Sequence, residues 1–313
     1  MSSFTMMIKD EICQKSFADC CQKSLLSAFI SLNKIRNNGR ENLIKIASFH
    51  KPTIKLIATL LKNQFQESNI RIKTIKYQKT NRYLIEVLDL TNKITDELCL
   101  QDESFDFANK IIKKHCIRAY IAGIFLVSGS INSPKTSNYH LELQFDSMNF
   151  ARLVQKLLAK NFKLNFKFIK RRNKFVLYLK RSNDISDFLK LLDCPQAVFN
   201  FEEKRITREL LNTINRFNNI DISNQQKAFN ASLKQIAMIN KIKELNGFNE
   251  LSDKCQILAN IRLANQDASL NELSEEFYQK TGEMITKSGV NHLMRELRKK
   301  YHEIVSNLTS DAF

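Results

Sequence analysis

The order helix, strand, helix, strand, strand is written twice into the first two thirds of this chain, at a period of about 96 residues. This confines that part of the molecule to two copies of one α+β unit. In the first copy Leu25 to Leu32 reads as a short apolar helix and Leu43 to Phe49 as a strand. Pro52 to Gln66 follows as a helix with Ile54, Ile57, Ala58, Leu61 and Phe65 on one side. Pro52 suits a first helical turn, where its missing N–H has no intrahelical partner to lose. Ile70 to Tyr77 and Arg82 to Leu88 read as strands flanking a turn at Thr80 and Asn81. In the second copy Ile121 to Ser128 is the apolar helix and Tyr139 to Phe145 the strand. Ala151, Leu153, Val154, Leu157 and Leu158 mark the next helix. Phe162, Leu164, Phe166 and Phe168 then alternate with polar residues, Lys170 to Asn173 turn the chain, and Phe175, Leu177 and Leu179 alternate again.

The second copy also concentrates charge. Ala151 to Arg181 holds eleven Lys or Arg and no Asp or Glu, in a chain whose 49 Lys+Arg and 32 Asp+Glu give +17 at pH 7. A block of one sign attracts polyanions. The alternation puts an apolar face inward and a mostly basic face outward, with Lys167, Lys170, Arg171 and Arg172 expected on phosphates. Its Phe residues fall in the apolar register, and only Tyr178 shares a register with Lys174 and Lys180. This disfavours single-stranded RNA, which is held by stacking on exposed aromatics.

At 313 residues, two or three domains are expected. No window approaches the roughly 20 apolar residues of a membrane helix. Met1 to Asp19 lacks the apolar stretch of a signal peptide. A soluble, cytoplasmic protein without membrane contact is therefore expected. Seven Cys without a CxxC pair read as reduced core residues, with no metal or redox role.

After Pro195 the pattern becomes helical, from Val198 to Asn215 and from Gln225 to Glu244, with Asn218, Asn219, Asp221 and Asn224 as an intervening turn. Beyond Gly247 lie three shorter helices. Leu251 to Leu263 comes first; Ser269 with Glu272 then forms a capping box, and Thr286 or Ser288 opens the last helix, which runs through Tyr301. The final two have the length and separation of a helix-turn-helix. Val290, Met294 and Leu297 can face inward, while Lys287, Ser288, Asn291, His292, Arg295 and Arg298 can face the major groove. Ser269 is a further candidate DNA contact, at the start of the first of these helices.

Catalytic signatures are thin. The five His show no HxxxH or HExxH spacing, the six Gly form no phosphate loop, and Ser128 and Ser130 lack a GxSxG turn. The run Ile121 to Gly129 (IAGIFLVSG) resembles the signature of LAGLIDADG homing endonucleases, with Gly123 allowing two such helices to pack backbone to backbone. In that family the last acidic position of each signature holds the divalent metal that activates water. Here those positions are Leu32 and Ser128, which cannot replace two carboxylates.

Taken together, these features resemble the WhiA regulators, which join a degenerate two-repeat LAGLIDADG domain to a C-terminal helix-turn-helix. The matching residues include His115, Cys116, Arg118, Ala119, Gly123, Phe125, Gly129, Ser130 and Ile131. Asn212, Asn215, Asn219, Asn224 and Lys227 match an Asn-studded linker, and Ala259, Arg262, Leu263, Ala268 to Leu270, Glu272, Leu273 and Lys287 to His292 match the C-terminal domain. Leu293 and Glu296 depart from the basic residues expected there. The resemblance implies an α+β fold with the duplicated domain at 1–195, a helical linker at 196–225 and a helical domain at 226–313, its helix-turn-helix at 269–301. It implies a non-catalytic, nucleoid-associated DNA-binding regulator of cell division and chromosome segregation, without cofactor or metal. Its expected partners are double-stranded DNA and RNA polymerase or a sigma factor. The alternatives are a metal-dependent homing endonuclease and an RNA-binding protein using the basic hairpin.

Overall fold

The computed structural model describes residues 3–33, 44–78, 80–100 and 113–310. Two compact units follow one another along the chain, Met1–Glu209 and Leu210–Phe313.

The duplication is explicit in the first unit. After α1 (Phe4–Cys13), the first copy runs α2 (Asp19–Asn33), β1 (Ile44–Ser48), α3 (Lys51–Gln64), β2 (Ile70–Tyr77) and β3 (Thr80–Val87), followed by α4 (Thr91–Glu97). The second runs α5 (Ile117–Ser128), β4 (Gly129–Ile131), β5 (Leu141–Phe145), α6 (Met148–Phe162), β6 (Lys167–Arg171) and β7 (Lys174–Leu179), followed by α7 (Ser182–Leu191). Both sheets are antiparallel, ordered β1-β3-β2 and β4-β5-β7-β6, so in each copy the second hairpin strand sits between the first strand and its own partner. Strand β4 is not foreshadowed in the sequence pattern, because its three residues are too short to show a period.

One core serves both copies, with α2 and α5 at its centre. Nine of the twelve residues of α5 are buried, as are Leu25, Leu26, Ala28, Phe29 and Ile30 of α2. The two helices touch at Gly123, where an added Cβ would lie 2.5 Å from the Leu25 carbonyl oxygen and 3.1 Å from the Ala28 Cβ. Only a residue without a side chain fits there. Helix α1 straps this core. Thr5 exchanges hydrogen bonds with the backbone of Ile131, Lys9 donates to the Leu126 carbonyl at 2.9 Å, and the Glu11 carboxylate accepts from the N–H groups of Gln196 and Ala197 at 2.9 and 3.0 Å. That last pair caps a helix N-terminus with negative charge, which its dipole favours. Burial lowers the pKa of Lys9 to about 8.

Four local readings need correction. Thr80 and Asn81, expected to turn the chain, instead pair with Tyr77 and Lys76 as the first residues of β3. The strand expected from Phe162 is confined to Lys167–Arg171: α6 continues to Phe162, Lys163 turns out of it with φ 56°, and Leu164 and Phe166 are buried in the connection. The turn expected over Lys170 to Asn173 narrows to Arg172 and Asn173, because Arg171 still pairs with Lys174. The Asn-rich turn does not exist: α8 runs unbroken from Pro195 to Glu244. No Gly or Pro lies between Pro195 and Gly247, and Asn costs a helix only about 0.7 kcal/mol, too little to break it.

In the second unit the end of α8 packs with α9 (Asp253–Ala264), α10 (Leu270–Thr281) and α11 (Lys287–Ser310), after a short 3-10 turn at Gly247–Glu250. Their core is Ile239, Ile242, Leu251, Cys255, Leu258, Ala259, Ile261, Leu273, Phe277, Val290, Met294 and Leu297. Arg262, 2% exposed, donates to the Ala268 carbonyl at 2.5 Å and fixes the segment ahead of α10.

Glycine-to-alanine replacement ordinarily stabilises a helix by up to about 1 kcal/mol. That sign is expected for Gly289→Ala, whose new methyl meets nothing closer than 3.6 Å. Gly123→Ala is expected to reverse it, destabilising by about 1–3 kcal/mol through overpacking. Denaturant unfolding of both variants checks the pair; a stabilising Gly123→Ala would refute the close approach.

Candidate nucleic-acid interface

The helix-turn-helix is built from local sequence signals. Ser269 accepts from the Glu272 N–H at 3.2 Å, while the Glu272 carboxylate accepts from the Ser269 N–H at 2.6 Å, the reciprocal capping box. These bonds hold the Glu272 carboxyl below its usual pKa. Gly282 ends α10 with φ 73°, a left-handed conformation that glycine adopts without steric cost. The Ser274 hydroxyl donates to the Ile285 carbonyl and pins the turn.

Helix α11 then divides cleanly. At about 100° per residue, Lys287, Ser288, Asn291, His292, Arg295, Arg298 and Lys299 share one side, and all seven are exposed. Val290, Met294 and Leu297 lie opposite in the core. No Asp or Glu interrupts the outer stripe. Leu293 packs against the core, and its carbonyl accepts from the Cys255 thiol at 3.4 Å. Glu296 accepts from the Ser252 hydroxyl at 2.9 Å. The two departures therefore face inward or sideways and subtract nothing from the stripe. Lys300 does not belong to it. Its ammonium lies 2.5 Å from Glu250 and is held above the usual lysine pKa by that hydrogen bond. Ser269 is exposed, but its hydroxyl oxygen already serves as a cap.

The basic block is less uniform in space than in sequence. Lys167 and Arg171 alternate onto the outer sheet face, together with Tyr178 and Lys174 as their strand partners. Lys170 falls on the opposite pleat, 5.9 Å from the Phe175 ring, and Arg172 sits at the hairpin tip with φ 54°. Strand β5 brings an acid into this surface that the block itself lacks. Glu142 lies 3.9 Å from Arg171, 3.3 Å from the His140 ring and within 2.7 Å of the Gln144 amide. Asp146 pairs with Lys174 at 2.5 Å. Arg152 stacks on Phe168 at 3.8 Å. Lys167 and Arg172 are thus the predicted hairpin cations that are exposed and have neither an acid nor a ring among their described contacts. Adjacency across strands is what the linear charge count could not show.

Leu32 and Ser128 meet at the far ends of α2 and α5, where they line a shallow pocket with Val127, Gly129, Gln144, Asp146 and Lys174. Ser128 donates to its own helix, to the Ile124 carbonyl at 3.0 Å, and Leu32 packs against the core. The carboxylate that lines this pocket, Asp146, is paired with Lys174.

Residues 117–211 match the family described as WhiA LAGLIDADG-like domain, and residues 214–301 match WhiA C-terminal HTH domain. Among similar proteins, a probable cell division protein WhiA of Brevibacillus brevis is 35% identical over 306 residues, covering 95% of this chain and 96% of its own. One from Anoxybacillus flavithermus is 34% identical, covering 94% and 93%. The crystal structure of full-length DUF199/WhiA from Thermatoga maritima aligns with a TM-score of 0.60 at 22% identity, over 96% of this chain and 99% of that one. This last likeness concerns the fold. Among the described residues, no helix is long and apolar enough to cross a membrane.

With a leucine and a serine where two metal-binding carboxylates would stand, supercoiled plasmid is expected to stay intact on incubation with magnesium or manganese. Chelator-sensitive nicking that follows the folded protein through purification would reverse that expectation.

Proposed function

The chain belongs to the WhiA family, and from that premise we propose that it is a non-catalytic regulator of transcription that binds double-stranded DNA and acts in cell division and chromosome segregation. The observation that carries this reading is the acid-free, exposed stripe of α11, backed by an apolar core on the other side of the same helix. A helix entering the major groove needs that division, because its outer side must meet base edges and phosphates while its inner side anchors it. Lys287, Ser288, Asn291 and His292, in its first turns, read bases. Arg295 and Arg298 hold phosphates, which position the helix without reading sequence. Ser269 approaches the backbone of the same duplex. Lys167, Lys170, Arg171 and Arg172 add sequence-independent attraction. Nucleoid association follows from DNA binding, and a regulator of this kind acts through RNA polymerase or a sigma factor.

RNA is disfavoured by packing. Phe166 is buried, Phe168 and Phe175 stack on each other at 6.0 Å, and Tyr178 is the outward-facing ring of the hairpin among the described residues.

Asn can form a bidentate pair with adenine worth roughly 1–3 kcal/mol of discrimination. Against a site selected from random DNA by the parent chain, Asn291→Ala is expected to lower the ratio of specific to random affinity about tenfold or more. Arg298→Ala is expected to weaken both affinities together. Equal thermal unfolding of both variants and the parent is the control, and an unchanged ratio in folded Asn291→Ala would remove base reading from this position.

Replacing Lys167, Lys170, Arg171 and Arg172 with Gln is expected to weaken binding to all sequences alike. The salt dependence should flatten by roughly 0.9 for each phosphate that is no longer neutralised. Lys167 and Arg172 are expected to supply most of that change, since Arg171 faces Glu142 and Lys170 leans on a ring. A salt slope equal to the parent's would mean the hairpin is merely solvated.

A further inference from the structure

Three cysteines and a histidine that the sequence scatters into two dipeptides converge at the N-terminal ends of α2 and α5. Cys20 and Cys21 lie in the first turn of α2, and His115 and Cys116 stand immediately ahead of α5, with Cys116 at its N-cap. The Cys20 sulfur is 3.1 Å from His115 Nε2, and the Cys21 sulfur is 3.7 Å from that of Cys116. All four ligand atoms lie within 4.8 Å of one another. From this geometry we propose that the chain holds one structural zinc ion on Cys20, Cys21, His115 and Cys116.

The Cys21–Cys116 distance matches the ion, and the 3.1 Å Cys20–His115 contact needs to open by only about half an ångström. A tetrahedral zinc with Zn–S of about 2.3 Å and Zn–N of about 2.0–2.1 Å requires sulfur–sulfur edges of about 3.8 Å and sulfur–nitrogen edges of about 3.6 Å. The donor set also suits the ion, since three thiolates and an imidazole are a recurrent closed site of structural zinc. Thiolates at two helix N-termini are favoured by both dipoles. Lys113, Lys114 and Arg118, all exposed, stand close in sequence to a complex whose three thiolates leave it one charge negative.

The two dipeptides occupy corresponding places in the two copies, at the start of each central helix, and the contacting pairs, Cys20 with His115 and Cys21 with Cys116, each lie 95 residues apart. Each copy supplies two ligands, so the ion fastens the copies to each other. It closes a long loop, a constraint that falls on the unfolded chain. Four protein ligands leave no position for substrate, so the role is structural. The site is also remote from the endonuclease positions: Cys20 and Leu32 are twelve residues apart on one helix, about 18 Å along its axis.

The full-length chain, purified under reducing conditions without chelator, is expected to carry about one zinc per molecule by elemental analysis. Cobalt(II) exchanged into it is expected to give the intense visible bands of a tetrahedral site, with sulfur-to-cobalt charge transfer in the near ultraviolet. Cys116→Ser tests a buried ligand and can disturb folding. Cys20→Ser with His115→Gln changes the two more accessible ligands and is expected to lose stoichiometric metal while remaining folded by circular dichroism. Cys194→Ala, at a buried cysteine remote from the cluster in sequence, is expected to keep the metal. Zinc should raise the Tm of the metal-free parent and leave that of the double variant unchanged. A folded, reduced parent that takes up neither zinc nor cobalt would overturn the proposal. So would metal retained by the double variant, or a Cys21–Cys116 disulfide in freshly prepared protein.

Discussion

The first unit depends on the contact of α2 with α5 at Gly123. Two sheets, each with its own helix and hairpin, share one core only because these central helices approach until one backbone lies against the other. A methyl at this position would sit inside van der Waals contact of a backbone carbonyl, which has little freedom to retreat. From that contact the rest is placed. The helices' far ends bring Leu32 and Ser128 to one pocket, their near ends bring two dipeptides together, and α1 ties Ile131, Leu126 and the start of α8 to the same core.

The second unit rests on a different constraint, the division of one helix into an anchoring side and a free side. Val290, Met294 and Leu297 fix the rotation of α11 about its axis. Once that rotation is set, Leu293 and Glu296 turn away from the outer stripe and Lys300 is drawn to Glu250. A composition that looks diluted along the sequence becomes uniformly basic or polar on the side that remains exposed. On the hairpin the change runs the other way, because β5 sets Glu142 beside Arg171 and weakens a surface that the linear count made purely positive.

Local signals were legible in the residues. Alternation gave β2, β3 and β7, a Pro in the first turn marked the start of α3, the Ser269 and Glu272 pair marked that of α10, and the glycine after Thr281 ended it. Periodicity failed where a helix end competed with a strand pattern, as at Phe162, partly buried at a helix terminus, and Leu164, buried in the connection. It failed also at the Asn-rich stretch, because Asn is enriched in turns yet carries only a small helical penalty, and α8 continues through it.

The sequence by itself determined the duplication, the helix-turn-helix and the absence of paired carboxylates at positions 32 and 128, since each is carried by residue type at short range or by a pattern that repeats. Tertiary structure alone decided which distant residues meet. No spacing rule links Cys20 and Cys21 to His115 and Cys116, because the separation that matters there is set by two helices packing through a glycine rather than by positions along one segment. The same holds for Glu142 and Arg171: the pairing of β5 with β7 and of β7 with β6 brings them together, and a charge belongs to a surface only after the strands beside it are known.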